Sequence, residues 1–256
     1  LAEYYKKHKP KSNMAFVLFG GEEQGLLGSK HFVDHLPFPV EKIKAMINFD
    51  MVGRLKDSTL GISGVKSATE WEALLKSMHG KPLKLGMGGD GLSGSDQASF
   101  YNKDIPVLFL NTGLHEDYHT PNDDVKYINF DGMQLVANLS VRLIDSILNP
   151  KTTLTFIKSS HSKSERSYKT SLKVKMGIMP DVAGVVQNGL GVDGVKAGGP
   201  ASKAGIQKGD VIVEIDGKTV TNIYDYMKRL GELEPDRTIV VKIERNGTIL
   251  PISVEL

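Results

Sequence analysis

The chain has 256 residues, 40% of them hydrophobic and 24% charged, with a net charge of +2 and no cysteine. That length suits two domains with real apolar cores. The balance of charge argues against a nucleic-acid binder, and the missing cysteines exclude thiolate metal sites, cysteine nucleophiles and disulfides. No apolar run approaches the roughly 20 residues a membrane-spanning helix needs. No signal peptide is present, which carries little weight because the chain opens inside what reads as a helix, LAEYYKKHK; residue 1 reads as a cut.

That first helix is stopped by Pro10. MAFVLF (Met14–Phe19) has the length and unbroken apolarity of a buried parallel strand, ended by Gly20-Gly21. Gln24–Leu36 is predicted as a helix ending before Pro37 and Pro39. IKAMINF (Ile43–Phe49) reads as a second buried strand running into Asp50. Ser58–Ser63 is predicted as a short edge strand, Ala68–His79 as a helix with Trp71 in the core, and the glycine-rich Lys81–Gly94 as a loop at the rim of a site. Ser95–Tyr101 reads as a short helix, IPVLFLN (Ile105–Asn111) as a third buried strand, and Phe130–Leu148 as a long amphipathic helix. The alternation implies an α/β domain, residues 1–148, with a mostly parallel central sheet in a three-layer sandwich.

Residues 149–172 are polar, basic and serine-rich and read as a linker. Residues 173–256 then give short β runs with turns, one helix at about Ile223–Leu230, and an Asn246-Gly247 pair between two β runs that signals a hairpin. This is a second, small, β-rich domain.

Three apolar runs of the first domain lead to groups that can hold a metal. The first leads to Glu22 and Glu23, the second to Asp50, and the third to His119 through the loop Thr112–Tyr118. Open α/β sheets bind ligands beyond the carboxyl ends of their strands, and carboxylates with an imidazole suit zinc. The string His115-Glu116-Asp117-Tyr118-His119 also matches HExxH, which requires a helix. Gly113 before it and the Thr120-Pro121 step after it argue against one. His31 and His35, spaced i, i+4, read as exposed helix positions and not as a metal pair.

The motifs GGEEQGLLGSKHF, INFDMVG, GSDQASF with IPVLFL, and YHTPNDD occur in this order. Together they resemble the co-catalytic zinc aminopeptidase family, metallopeptidase family twenty-eight, over about Leu1–Leu148. The resemblance implies two zinc ions in the intact enzyme. It implies Glu22 as the general base, Glu23 and His119 as ligands of one zinc, Asp50 as ligand of the other, Tyr118 near the oxyanion, and Asp96 in the pocket or behind a ligand. The family's upstream His-x-Asp and bridging Asp do not occur in this sequence. The chain alone is therefore expected to hold at most Glu23, Asp50 and His119 of the ligand set, and to be inactive or nearly so.

GGPASKAGIQKGDVIVEIDGKTV (Gly198–Val220) resembles a bacterial PDZ domain, which implies a groove for a peptide C-terminus along Met176-Gly177-Ile178, walled by the later helix. The function so implied is zinc-dependent removal of N-terminal residues from peptides, in an exported bacterial protein. The alternatives are a cyclase or carboxypeptidase on the same scaffold, or a catalytically incomplete chain that works only as a PDZ peptide-binding module.

Overall fold

A computed structural model describes residues 1–158 except 79, 81, 93, 116 and 119, and residues 173–256 except 181–185, 187 and 222; of residue 224 it describes only the backbone. The chain divides into two compact units, one made of residues 1–112 and 119–162, the other of 113–118 and 163–256. Most of the expected linker lies outside the described residues. Its first part belongs to the first unit: Phe156 bridges Ala68, and Thr155 donates to the Glu70 carboxylate.

The first unit runs α1 (Ala2–Lys7), α2 (Leu27–Asp34), β1 (Met46–Phe49), β2 (Thr59–Ser63), α3 (Trp71–Met78), β3 (Lys84–Met87), α4 (Gln97–Tyr101), β4 (Val107–Asn111) and α5 (Phe130–Leu148). Its sheet has the order β1-β4-β2-β3, parallel at β1–β4 and β2–β3 and antiparallel at β2–β4. β4 lies at the centre and is buried along its whole length, as five consecutive apolar or amide residues require. Leu108 and Leu110 of β4, with Leu60 and Ile62 of β2, meet Trp71 and Leu75 of α3 and Leu139 and Leu143 of α5 in one core. α4 packs against β1 and β4. Trp71 is fully buried, as expected, and its indole N–H donates to Ser67 Oγ. Ser67 Oγ also bonds both main-chain groups of Val107, so this deep polar knot is satisfied.

Four sequence expectations need correction. Met14–Phe19 forms no strand: Phe16 is 51% exposed, and Leu18 is fully exposed. A run of this kind is buried only when strands flank it, and among the described residues none pairs with it; β1 itself is at the sheet edge. β2 is an interior strand between β4 and β3, not an edge. Lys84–Met87 lies within the expected loop yet is a strand, because parallel pairing to β2 supplies its main-chain partners. The helix expected from Gln24 begins at Leu27, because Gly25 and Leu26 take positive φ.

The second unit runs β5 (Ile178–Pro180), β6 (Leu190–Val195), α6 (Pro200–Lys203), β7 (Val211–Ile215), β8 (Lys218–Thr219), α7 (Ile223–Gly231), β9 (Thr238–Arg245) and β10 (Thr248–Glu255). Its main sheet has the order β10-β9-β7-β6-β5. Asn246 and Gly247 turn β9 into β10 with both φ positive, as the sequence predicts. Buried Asp210 is gripped by Arg245 through Nε at 2.6 Å and Nη2 at 2.7 Å, and accepts from the Gln207 N–H. Burial alone raises an aspartate, but these donors outweigh it and hold the Asp210 carboxyl below its ordinary value of 3.8. The folded pKa is thus below the unfolded one. The stabilisation is complete above the ordinary aspartate range and is lost as pH falls through the lower, folded value. Asp210→Asn should therefore lower the thermal midpoint of this unit at pH 7 by at least about 5 °C and flatten its acid-side decline. Melts at pH 7 and pH 3 check this, and an unchanged midpoint at pH 7 contradicts it.

Candidate metal centre and peptide groove

Glu22 and Glu23 sit on a closed turn between the Met14–Phe19 run and α2. Gly25 and Leu26 donate to Glu22 O at 2.9 and 2.8 Å, Leu27 donates to Gly21 O, and Gly28 donates to Gly20 O. A side chain at position 28 would put Cβ 2.6 Å from Gly20 O, so glycine is what lets the helix start dock on the turn. Glu22 is half-buried and Glu23 exposed.

Asp50 follows β1 directly, and its N–H bonds Leu110 O of β4, so sheet pairing extends to the carboxylate's own main chain. Ser95 Oγ donates to Asp50 Oδ2 at 2.8 Å. Asn48, two residues earlier on the same face of β1, donates to Ser95 Oγ at 2.8 Å and to Gln97 Oε1 at 2.9 Å. Ser95, Asn48 and Gln97 are buried. One carboxylate oxygen of Asp50 is therefore fixed by a buried chain of side chains, which leaves Oδ1 as the oxygen for a cation. Asp96 stands at the N-cap of α4 but caps nothing, and its buried Oδ1 has no hydrogen-bond partner. An ionised oxygen so placed is costly unless a cation or proton meets it.

After β4, Thr112 bonds Met51 O through both N and Oγ1. Arg54 bonds Asp123 at 2.6 Å and lies 4.9 Å from the Tyr127 ring centre, which pins the segment after the YHTP motif to the end of β1. Tyr118 is partly exposed, its N–H bonds His115 O, and its ring meets the His115 ring edge-on. Residues 112–115 and 117–118 are not helical, so the described part of the HExxH string lacks the geometry of a helical zinc motif. His119 and Glu116 lie outside the described residues. His31 and His35 are exposed and stacked at 4.1 Å on α2.

Among the described residues no three His, Asp or Glu side chains converge on a point that could hold a metal. The donors that fit zinc by chemistry, Glu23 and Asp50, are a partial set. The sequence reading named both carboxylates and missed the Gln97–Asn48–Ser95 chain. Its signal was the i, i+2 placement of Asn48 and Asp50 on one strand face.

In the second unit, Met176 is buried in the core, so only its main chain can meet a ligand. Gly177 has φ +74. Met176 O accepts from Ala201 N, and Gly177 O accepts from Lys196 N at 2.7 Å. The peptide plane then turns the Gly177 N–H away from α6. Ile178 opens β5, whose outer edge has no pairing among the described residues. Ile178, Ile223 and Met227 are half-buried against the same core.

The chain thus joins an α/β unit, with a carboxylate directly after β1, to a β-rich unit whose edge strand follows a glycine at positive φ. The chain belongs to peptidase family M28, whose model matches residues 1–144, and residues 163–256 match the PDZ domain. It is 27% identical over 179 residues to the aminopeptidase YwaD of Bacillus subtilis, covering 64% of this chain and 38% of that protein. It is 35% identical over 92 residues to a "Probable zinc metalloprotease" of Pyrenophora tritici-repentis, covering 35% of this chain and 21% of that protein. Over 58 residues it is 36% identical to a "Probable periplasmic serine endoprotease DegP-like" of Bartonella henselae, covering 23% of this chain and 12% of that protein. The chain thus spans well under half the length of these relatives.

Gly28→Ala should open the Glu22–Glu23 turn at a cost of at least about 1 kcal/mol. Faster amide exchange at Gly25–Gly28 with unchanged exchange in β4 is the expected result; unchanged exchange throughout contradicts the steric argument.

Proposed function

We propose that the protein containing this chain is a zinc-dependent exopeptidase that removes N-terminal residues from peptides, and that its PDZ domain binds a peptide C-terminus. The observation that carries the first part is the Asp50 carboxylate, fixed through Oδ2 by Ser95 on a family M28 scaffold. Glu23, Asp50 and His119 are the residues of this chain that would hold zinc, two ions in the whole protein. When bound, zinc polarises the scissile carbonyl and acidifies the attacking water. Glu22, on its closed turn, takes the proton from that water and returns it to the leaving amine. Tyr118 donates to the developing oxyanion, and Asp96, buried and unpartnered at Oδ1, supports the pocket from the α4 side. The relative described as periplasmic supports an exported protein.

A second reading has its own observation. Glu23 and Asp50 are a partial ligand set, and on this reading the chain by itself would act only as a PDZ module. A cyclase or carboxypeptidase would use the same carboxylates, and products from a free-amine peptide, an N-terminal glutamine peptide and a blocked peptide separate these activities.

For the PDZ domain, the supports are positive φ at Gly177, the unpaired outer edge of β5, and the exposed cations Lys175 and Lys196 on either side of the loop. Lys196 Cβ is 3.4 Å from where a Gly177 Cβ would stand. That geometry supports strand addition with carboxylate capture by main-chain amides.

In the whole protein, Glu22→Gln should cut kcat by roughly 10²–10⁴-fold with zinc content unchanged. Activity within a few-fold of the parent sinks the assigned base. Ser95→Ala should weaken zinc by about 10–100-fold, read by competition with a chelating dye. Parent-like affinity means that Ser95 does not orient a ligand.

A further inference from the structure

The hydrogen-bond direction along β5 is fixed by one contact. Lys196 N donates to Gly177 O, and the Cα register pairs Ile178 with Val195 and Met179 with Gly194. In an antiparallel ladder, residues alternate between facing the partner strand and facing away. The Gly177 carbonyl and Met179 therefore face β6, while Ile178 and Pro180 face the outer edge. The register shift between Met179 and Pro180 skips Asp193 on β6, and so leaves the outer edge in phase.

An extended peptide added antiparallel to that edge meets Ile178 and Pro180 in turn. With its carboxylate at the Gly177 loop, its last residue pairs with Ile178: the ligand N–H donates to Ile178 O, and Ile178 N–H donates to the carboxylate. The third residue from its end pairs with Pro180. Its N–H can donate to Pro180 O, but its own carbonyl meets a residue with no N–H. One bond of the ladder is therefore missing from the domain's side.

We propose that Pro180 leaves the carbonyl of the ligand's third-last residue without a main-chain donor, so that the domain takes the free carboxylate end of a peptide through its last residue and gains nothing from that carbonyl. This rests on the reading of β5 as the peptide-receiving edge. It fits a partner of definite chemistry, a short carboxylate-terminated peptide end, with Lys175 and Lys196 supplying the complementary charge.

The test uses the full chain and fluorescence anisotropy. The peptides have three or six residues and share an apolar last residue with a free carboxylate. Each is made with an amide or an ester between its third-last and second-last residues. The ester weakens the third-last carbonyl as an acceptor, and the N–H it removes points away from β5. For the native chain, amide and ester forms should bind within about twofold of each other at either length. Pro180→Ala restores a donor, and should bind the amide forms about fivefold tighter and lose that gain with the ester. If the native chain loses as much on the ester as the variant does, or the variant shows neither gain nor ester sensitivity, the proposal is overturned. The native comparison alone decides if the variant does not fold. If no peptide binds, or if C-terminal amides bind as well as free acids, it is the peptide-end reading that fails, and this proposal falls with it.

Discussion

Ser95 Oγ holds one carboxylate oxygen of Asp50, and a carboxylate fixed through one oxygen can offer the other to a metal, the role proposed for Asp50. Several elements of the first unit converge on that contact. β1 pairs with the buried β4, and the Asp50 N–H extends the pairing by one bond. Asn48 reaches from the same strand face to Ser95 and Gln97, whose side chains are shielded from water. A buried polar chain with every link made is rigid, and a chain with one link removed leaves orphaned donors in a low-dielectric interior. The position of the Asp50 carboxylate is thus decided by α4 packing on β1 and β4 as much as by the strand itself.

In the second unit the proposed groove is built from main chain instead of side chains. Glycine at 177 permits the positive φ that frees the loop amide, and Met176 anchors that loop in the core. Three residues after Gly177, Pro180 leaves a donor missing from the outer edge of β5, which no strand pairs among the described residues. Proline at an edge also discourages unwanted strand pairing. One residue can therefore both protect the edge and limit what it accepts.

The sequence made the unbroken apolar run of β4, the amphipathic α5 and the Asn246-Gly247 hairpin legible, because local composition suffices for each. It misled at Met14–Phe19. Apolarity says that a run seeks cover but not whether a neighbour exists, and among the described residues this run has none. β2 and β3 were misplaced for a related reason: whether a five-residue strand is central depends on distant pairing, and Gly86 reads as loop until β2 supplies its partner. At the site, Glu22, Glu23 and Asp50 were visible as residue types after apolar runs, although only Asp50 follows a strand. The Gln97–Asn48–Ser95 chain was not, since it joins residues more than forty positions apart. His119 lies outside the described residues, and its role stands as a proposal.

Anomalous diffraction at the zinc edge, from crystals of the whole protein, tests the central claim most directly. The account predicts a zinc peak about 2.0–2.2 Å from Asp50 Oδ1, with Ser95 Oγ still on Oδ2. A zinc ion bound without Asp50, or bound through Oδ2 with Ser95 displaced, would contradict it.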